Sequence, residues 1–406
     1  MTDTLKPRDA KEVEDALRWA LDGEKSLELV GRGSKRAIGR PSQTELTLDL
    51  SSLTGVTLYE PEELVLSARA GTPIAEIEAL VASKGQQLAF EPMDYAPILG
   101  GVPGQGTIGG VLAANLSGSR RIKAGAARDH FLGFHAVSGR GEAFKSGGRV
   151  VKNVTGYDLC KLLAGSWGTL AAMTEVTIKT LPKAETEETL LVLGLTDAAA
   201  IRAMIAAMGS PCEVSGAAHL PATAALRVAG HIHRTAITAF RLEGVAPSVT
   251  HRKLELESLM RAFGELDLMA EDESQAFWRS VRDVLPFAAT GTVERPLWRI
   301  STAPSKGAEV ASAIAAQAGA QAFYDWGGGL VWIELLPAPD AGAAIVRRVV
   351  AAAGGHATLV RAPPALRAAV QVFSPQEPAL AALSKRVKES FDPKGILNAG
   401  RMWAGV

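Results

Sequence analysis

Three glycine clusters in less than half the chain constrain this sequence more than any other feature. They are Gly31-Arg32-Gly33-Ser34-Lys35, the run from Gly104 to Gly110, and Gly165-Ser166-Trp167-Gly168-Thr169. Around the second, the stretch from Gly100 to Arg121 holds seven glycines in 22 residues. Glycine permits positive φ and lets a backbone approach a ligand with no Cβ in the way. Successive free N–H groups make a nest for an anion. Glycine loops with Ser and Thr neighbours therefore point to a pyrophosphate held largely by backbone. Read literally, Gly104-Gln105-Gly106-Thr107-Ile108-Gly109 is GxGxxG, but a dinucleotide fingerprint follows a hydrophobic strand and opens a βαβ unit. Here Phe90 to Pro103 contains three prolines and reads as a loop, so a Rossmann fold is disfavoured.

The bulk numbers narrow the class. A chain of 406 residues exceeds one ordinary core and implies two or three domains. Hydrophobic residues at 47% and charged residues at 21% give a globular profile. Lys plus Arg and Asp plus Glu are 43 each, so no net charge argues for nucleic acid or an anionic membrane. Cys160 and Cys212 have neither CxxC nor metal spacing, which points to a reducing cytosol without a zinc or iron–sulfur site. The N-terminus lacks a basic-then-apolar leader, and no apolar run is long enough to cross a bilayer. The expectation is a cytoplasmic protein that reaches an inner membrane only through partners.

Periodicity organises the rest. Val13, Ala16, Leu17, Ala20 and Leu21 fall on one helical face. Ser26 to Pro41 reads as a buried strand running into a glycine turn. Thr72 to Gly85 reads as a helix with Thr72 as N-cap, Pro73 at its first position and Gly85 as its stop. Beyond Leu181 the pattern β-α-β-β-α-β occurs twice, which is the split βαβ, ferredoxin-like unit. Met260 to Ser274 reads as a charged loop or helix end, and Trp278 as a helix-packing aromatic.

Pro103 to Asp129 together with Val151 to Pro182 resembles the FAD-binding domain of the vanillyl-alcohol oxidase or p-cresol methylhydroxylase (PCMH) superfamily. Within it the chain is similar to the FAD-binding E-subunit family of bacterial glycolate oxidase. Gly31-Arg32-Gly33-Ser34-Lys35 matches that family's first pyrophosphate loop, and Phe391 to Arg401 matches its usual ending, with Ala399 in place of the common proline. The resemblance implies an α+β fold: a PCMH-type two-lobed FAD-binding domain over 1–184, a ferredoxin-like α+β cap over 185–365, and a segment 366–406 returning to the FAD domain.

By the same resemblance, Gly31, Arg32, Gly33, Ser34 and Lys35 would meet the pyrophosphate from one side, and Gly106, Thr107, Ile108, Gly109 and Gly110 from the other. Asn115, Ser117 and Gly118 would lead toward the flavin. Gly165, Ser166, Gly168 and Thr169 would border the adenosine or the ring, and Asn398 would return beside the flavin. Lys35, Arg120 and Arg121 would offset phosphate charge. Residues 31–40 hold no His, Cys or Tyr, so the FAD is expected to be non-covalent. Trp167 stands where many relatives carry Glu, which suits the E-subunit type.

No catalytic residue is assigned. Oxidising a 2-hydroxy acid needs a hydride acceptor, a base and a cation for the carboxylate. The HxGDGxxH metal motif of related D subunits is missing. His231 and His233 share one strand face and read as strand-edge residues rather than a base or metal pair, while Arg299 and Trp326 read as core or surface packing residues before they read as the cap face toward the flavin. The resemblance implies a complex that oxidises glycolate to glyoxylate, with a catalytic FAD-containing D subunit and an iron–sulfur F subunit. The alternatives are a stand-alone FAD-dependent oxidoreductase of another small hydroxy acid or alcohol, and a non-catalytic scaffold.

Overall fold

The helix Ala10–Asp22 starts where Asp9 accepts a hydrogen bond from the Glu12 amide, and it buries Val13, Leu17 and Ala20. Those side chains pack on a parallel sheet ordered Asp3–Leu5, Leu46–Asp49, Leu27–Val30. The computed structural model describes residues 3–149, 156–228, 233–289 and 295–406. Ile396 and Leu397 join this first lobe from the C-terminus, with Leu397 bridging Leu27.

The second lobe is an antiparallel sheet of five strands, in the order Val56–Glu60, Val65–Arg69, Ala171–Lys179, Phe131–Ser138, Ala143–Gly147. Ile77 and Val81 of the helix Ile74–Ala82, and Ile108, Val111 and Leu112 of the helix Ile108–Ala114, fill its core. Thr72 does not cap the helix that follows it, as its position suggests. Pro73 takes the cap position, and Thr72 Oγ1 instead donates to the Arg69 carbonyl at 2.7 Å and accepts from the Gly55 amide at 3.0 Å. A buried hydroxyl finds a better partner in that turn than at a helix end that proline has already organised.

The remaining chain builds one sheet of eight strands. Its order is Leu266–Met269, Thr186–Leu193, Ile237–Gly244, Gly216–Leu220, then Ala320–Asp325, Leu330–Leu335, Leu297–Ser301, His356–Arg361. Each half has the strand order of a split βαβ unit, and the halves meet where His219 pairs with Tyr324. The segment read as a charged loop contributes the edge strand Leu266–Met269 and opens the helix Glu271–Arg282. On that helix Trp278 is buried and donates Nε1 to Thr189 Oγ1 at 2.8 Å.

Strand alternation sorts the two faces of this sheet. Phe240, Trp298, Ile300 and Ile333 pack under the helices. Leu191, Ala239, Phe323 and Trp332 face the first domain and meet Met93, Tyr95, Ile98, Ala114 and Leu116. A buried ion network pins the same face. Arg120 donates to Glu91 and Glu243, and Arg241 reaches Glu91 Oε1 at 2.8 Å. Burial alone would raise the Glu91 carboxyl, but Arg241 and Arg120 override it and hold it at about 2.

Candidate functional site

The strand Leu27–Val30 ends in the first glycine loop. A Cβ on Gly31 would stand 2.6 Å from Thr107 Oγ1, so the first and second loops touch through a position that only glycine fills. Thr107 caps the helix Ile108–Ala114, its Oγ1 accepting from the Gly110 amide at 3.3 Å. Gly109 lets that helix lie against the strand behind it: its amide donates to the Ala70 carbonyl, and a Cβ there would sit 2.8 Å from Ala70 Cβ. The third loop is clipped on by the Gly165 amide to Leu112 and the Trp167 amide to Ala113. Asn398 ties the first loop's strand to the third loop, accepting from the Leu29 amide at 2.9 Å and donating to the Trp167 carbonyl at 2.7 Å.

These loops line one concave, mostly apolar cleft, the kind of surface that takes a cofactor. Its walls are mostly apolar or backbone, with Leu29, Leu50, Ala113, Trp167 and Met173 among them. Lys35 is a buried cation among its polar lining residues, with no carboxylate beside it among the described residues. It is 8% exposed, and among the described residues its only hydrogen bond from Nζ is a 3.4 Å contact to Ser34 Oγ. Burial depresses this ammonium to about 8, against a weak pull from Asp94. A buried cation without a carboxylate is costly, and a phosphate would supply the missing charge. Arg401 also lines the cleft. It donates to the Lys35 and Ile38 carbonyls, stacks near Trp167, and leaves a buried Nε with no partner. The residues present therefore fit a pyrophosphate cofactor.

Lys35 should make cofactor affinity depend on pH. A bound phosphate raises the pKa that burial has lowered, so binding takes up a proton above the free value of about 8. The FAD dissociation constant should rise by up to about tenfold per pH unit above that value, and Lys35→Met should remove the dependence. Flavin-fluorescence titrations over a pH series read both.

Of the residues singled out in the sequence, Gly31, Arg32, Gly33, Ser34, Lys35, Thr107, Gly109, Gly110 and Gly168 line the cleft. The others hold its frame. Gly106 accepts from the Ile74 amide, and Ile108 is core. Asn115 ends its helix in a left-handed conformation while accepting from the Arg128 amide. Ser117 accepts from the Ala127 amide, and the Gly118 carbonyl accepts from Trp326 Nε1. Gly165 and Ser166 shape the third loop, and Thr169 Oγ1 donates to the Ser166 carbonyl. Arg120 and Arg121, expected beside the phosphates, are not among the residues lining the cleft: Arg120 sits in the Glu91 network, and Arg121 stacks on Trp326.

The histidines are placed elsewhere. His233 meets Asp267 at 2.6 Å, and His231 lies outside the described residues. His219 is buried between Thr238 and Asp197. No group of three or more His, Cys, Asp or Glu is arranged for a metal among the described residues. Nor is any helix there long and apolar enough to cross a membrane. Sequence reading missed Leu29, Leu50, Ala70, Ala113 and Met173 as cleft walls, since apolar walls carry no signature. It also missed Arg401, whose only signal was its place as the last residue of the family-like ending.

Residues 4–147 match the FAD binding domain family, and residues 374–402 match the C-terminal domain of FAD linked oxidases. Glycolate oxidase subunit GlcE of Escherichia coli (strain K12) is 33% identical over 392 residues, covering 96% of each chain. The chain belongs to the GlcE family. Glycolate oxidase subunit GlcD of Bacillus subtilis (strain 168) is 32% identical over 47% of this chain and 39% of its own length. Among solved structures, p-cresol methylhydroxylase superposes with TM-score 0.73 over 99% of this chain and 88% of that one, at 12% identity. Alkyldihydroxyacetonephosphate synthase gives 0.71 over 97% and 75%, at 15% identity. The fold is thus the α+β, PCMH-type one. Like its GlcE-family relatives, the chain is an FAD-dependent oxidoreductase, and FAD is the cofactor that the glycine loops and Lys35 fit.

Proposed function

We propose that this chain is the FAD-binding, E-type subunit of a glycolate-oxidising complex. The complex would convert glycolate to glyoxylate, with a D-type FAD subunit and an iron–sulfur F-type subunit as partners. The observation that carries the reading is the end-to-end similarity to GlcE, in a chain whose cleft holds an uncompensated Lys35. Backbone of Gly31, Gly33, Thr107, Gly109 and Gly110 would cradle the pyrophosphate, Lys35 would neutralise it, and Trp167 and Met173 would wall the cleft. The FAD is held non-covalently in this reading, since the cleft lining contains no His, Cys or Tyr among the described residues. Bound FAD supplies a two-electron acceptor. The chain's own residues bind it, orient it and exclude water around it.

A visible spectrum of the purified chain followed by acid release tests this. The expected result is a flavin spectrum with FAD in the supernatant, and bleaching by glycolate only when the D-type and F-type partners are present. A chain that stays colourless after incubation with FAD defeats the cofactor role. Bleaching by glycolate in the isolated chain would replace the subunit reading with a stand-alone oxidoreductase.

A further inference from the structure

The first glycine loop is gripped by two buried arginines from the segment that follows the eight-stranded sheet. Arg401 comes just after the turn that carries Asn398, and its Nη2 donates to the Lys35 carbonyl at 3.0 Å and to the Ile38 carbonyl at 3.2 Å. Arg367 lies on the helix Pro364–Ala369, a few residues past the strand His356–Arg361, and its Nη1 donates to the Gly39 carbonyl at 2.8 Å. The Nε of Arg367 donates to the Ala362 carbonyl at 3.2 Å, which orients the guanidinium from its own side. The main chain of Arg401 closes the grip, its carbonyl accepting from the Arg40 amide at 2.9 Å.

The stretch held in this way adjoins the cleft. Gly31 to Arg36 line it in an unbroken run, and the gripped carbonyls begin at Lys35. Gly33 and Gly39 have φ of 74° and 90°, and glycine leaves the peptide planes beside it easily turned. Of the loop's other side chains, Ile38 is buried in the core shared by the two domains and Arg36 bonds Glu28. Gly39 meets Arg401 with no space between them: a Cβ there would stand 3.0 Å from Arg401 Cγ and 3.1 Å from its carbonyl oxygen.

The charge is held by carbonyls. Among the described residues no carboxylate lies within 4.0 Å of the Arg401 guanidinium, and its Nε is buried without a partner. Burial lowers its pKa to about 10, with Arg367 and Arg36 acting in the same direction and Glu28 against them, so it is a cation at neutral pH. Charge-assisted bonds of this kind are about twice as strong as neutral ones. A peptide whose carbonyl is bound by a guanidinium keeps its plane. Left loose, the same peptide can turn its carbonyl oxygen toward the cleft, where its partial negative charge opposes a phosphate.

We propose that Arg367 and Arg401 are positioning residues of the cofactor site: by occupying the carbonyls of Lys35, Ile38 and Gly39 they set the first glycine loop, and Lys35 with it, in the conformation that receives a pyrophosphate before the cofactor arrives. Affinity gained this way comes from ordering paid in advance by the fold. Arg367 also makes the cofactor loop answer to the eight-stranded sheet, because its helix leaves the edge of that sheet. The grip itself stands on geometry, while the cofactor it serves rests on the FAD reading above.

The test compares the full chain with Arg401→Gln, Arg401→Lys and Arg367→Gln. Each is freed of flavin and retitrated with FAD, and hydrogen exchange of the flavin-free samples is followed by mass spectrometry. Peptides covering residues 33–40 should exchange about tenfold faster or more in both glutamine variants, while peptides covering Leu46–Asp49 keep the parental rate. FAD should bind about tenfold more weakly in each, and Arg401→Lys should recover part of both losses. Arg367 is not among the residues lining the cleft, so a loss of affinity in Arg367→Gln reports the loop and not a missing contact. That variant also carries the test if Arg401→Gln does not fold. Parental loop exchange in Arg367→Gln, or parental FAD affinity despite faster exchange, overturns the proposal. Weaker FAD binding in Arg401→Gln with the loop exchanging as in the parent makes Arg401 a direct contact and overturns it as well. A parent chain that binds no FAD defeats the cofactor reading, and the exchange rates still decide whether the two arginines set the loop.

Discussion

Gly110→Asp will purify colourless and bind added FAD about 100-fold more weakly than the parent chain. Gly110 lines the cleft, and a Cβ added there would lie 3.1 Å from Thr107 Oγ1 and 3.9 Å from Lys35 Nζ. A carboxylate at that position pairs with the Lys35 ammonium, which otherwise waits for phosphate, and it repels the pyrophosphate as well. The same pairing relieves the buried Lys35 charge, so the cofactor-free variant should unfold at no lower temperature than the cofactor-free parent. That combination separates a binding defect from a folding defect. Gly109→Ala should behave oppositely. Its Cβ would meet Ala70 Cβ and the Ala70 carbonyl oxygen at 2.8 Å, and such overpacking costs about 1–3 kcal/mol. A flavin-loaded Gly110→Asp chain would remove the second glycine loop from the cofactor site. Absorbance of the purified protein, flavin-fluorescence titration and thermal melts are sufficient to decide.

Asp392→Ala will destabilise the chain by about 3–5 kcal/mol. Lys388 Nζ is buried and donates to Asp392 Oδ2 at 2.6 Å, to the Thr169 carbonyl at 2.7 Å and to the Leu397 carbonyl at 2.8 Å. Asp392 also accepts from the Ile396 and Leu397 amides. One ion pair thus ties the C-terminal helix Pro378–Phe391 to the third glycine loop and to the turn that carries Asn398. Removing the carboxylate strands a buried cation and two amides. The double variant Lys388→Met with Asp392→Ala should recover part of the loss, because no unpaired charge remains. Urea unfolding monitored by far-UV circular dichroism measures each step. A single-variant loss below about 1 kcal/mol would show that the tie contributes little.

This pair explains why the ending Phe391-Asp392-Pro393-Lys394-Gly395-Ile396-Leu397-Asn398 is recognisable as a string. Asp392 and Asn398 act on their own turn and on the strand Leu27–Val30, and each makes several bonds at once. The glycine loops were legible for a similar reason. Gly33 and Gly168 have φ of 74° and 73°, and Gly31 and Gly109 have no room for a Cβ, so residue type records the backbone directly. The two βαββαβ repeats were legible because strand and helix periods differ, and the sheet alternates as that pattern demands.

Charged side chains were the hard part. Arg120 and Arg121 follow a glycine loop and read as phosphate partners, yet Arg120 bonds Glu91 and Glu243, and Arg121 stacks on Trp326 beside Arg299. Lys35 reads as one more basic residue until its burial and missing partner are seen. By itself the sequence determined where the backbone must turn tightly, which faces are apolar, and hence the loops and layers of the fold. Only the tertiary structure decided which cations are paired and which are left for a ligand. Backbone conformation is a local property that each residue type constrains, whereas a long charged side chain finds its partner only after two domains have closed on each other.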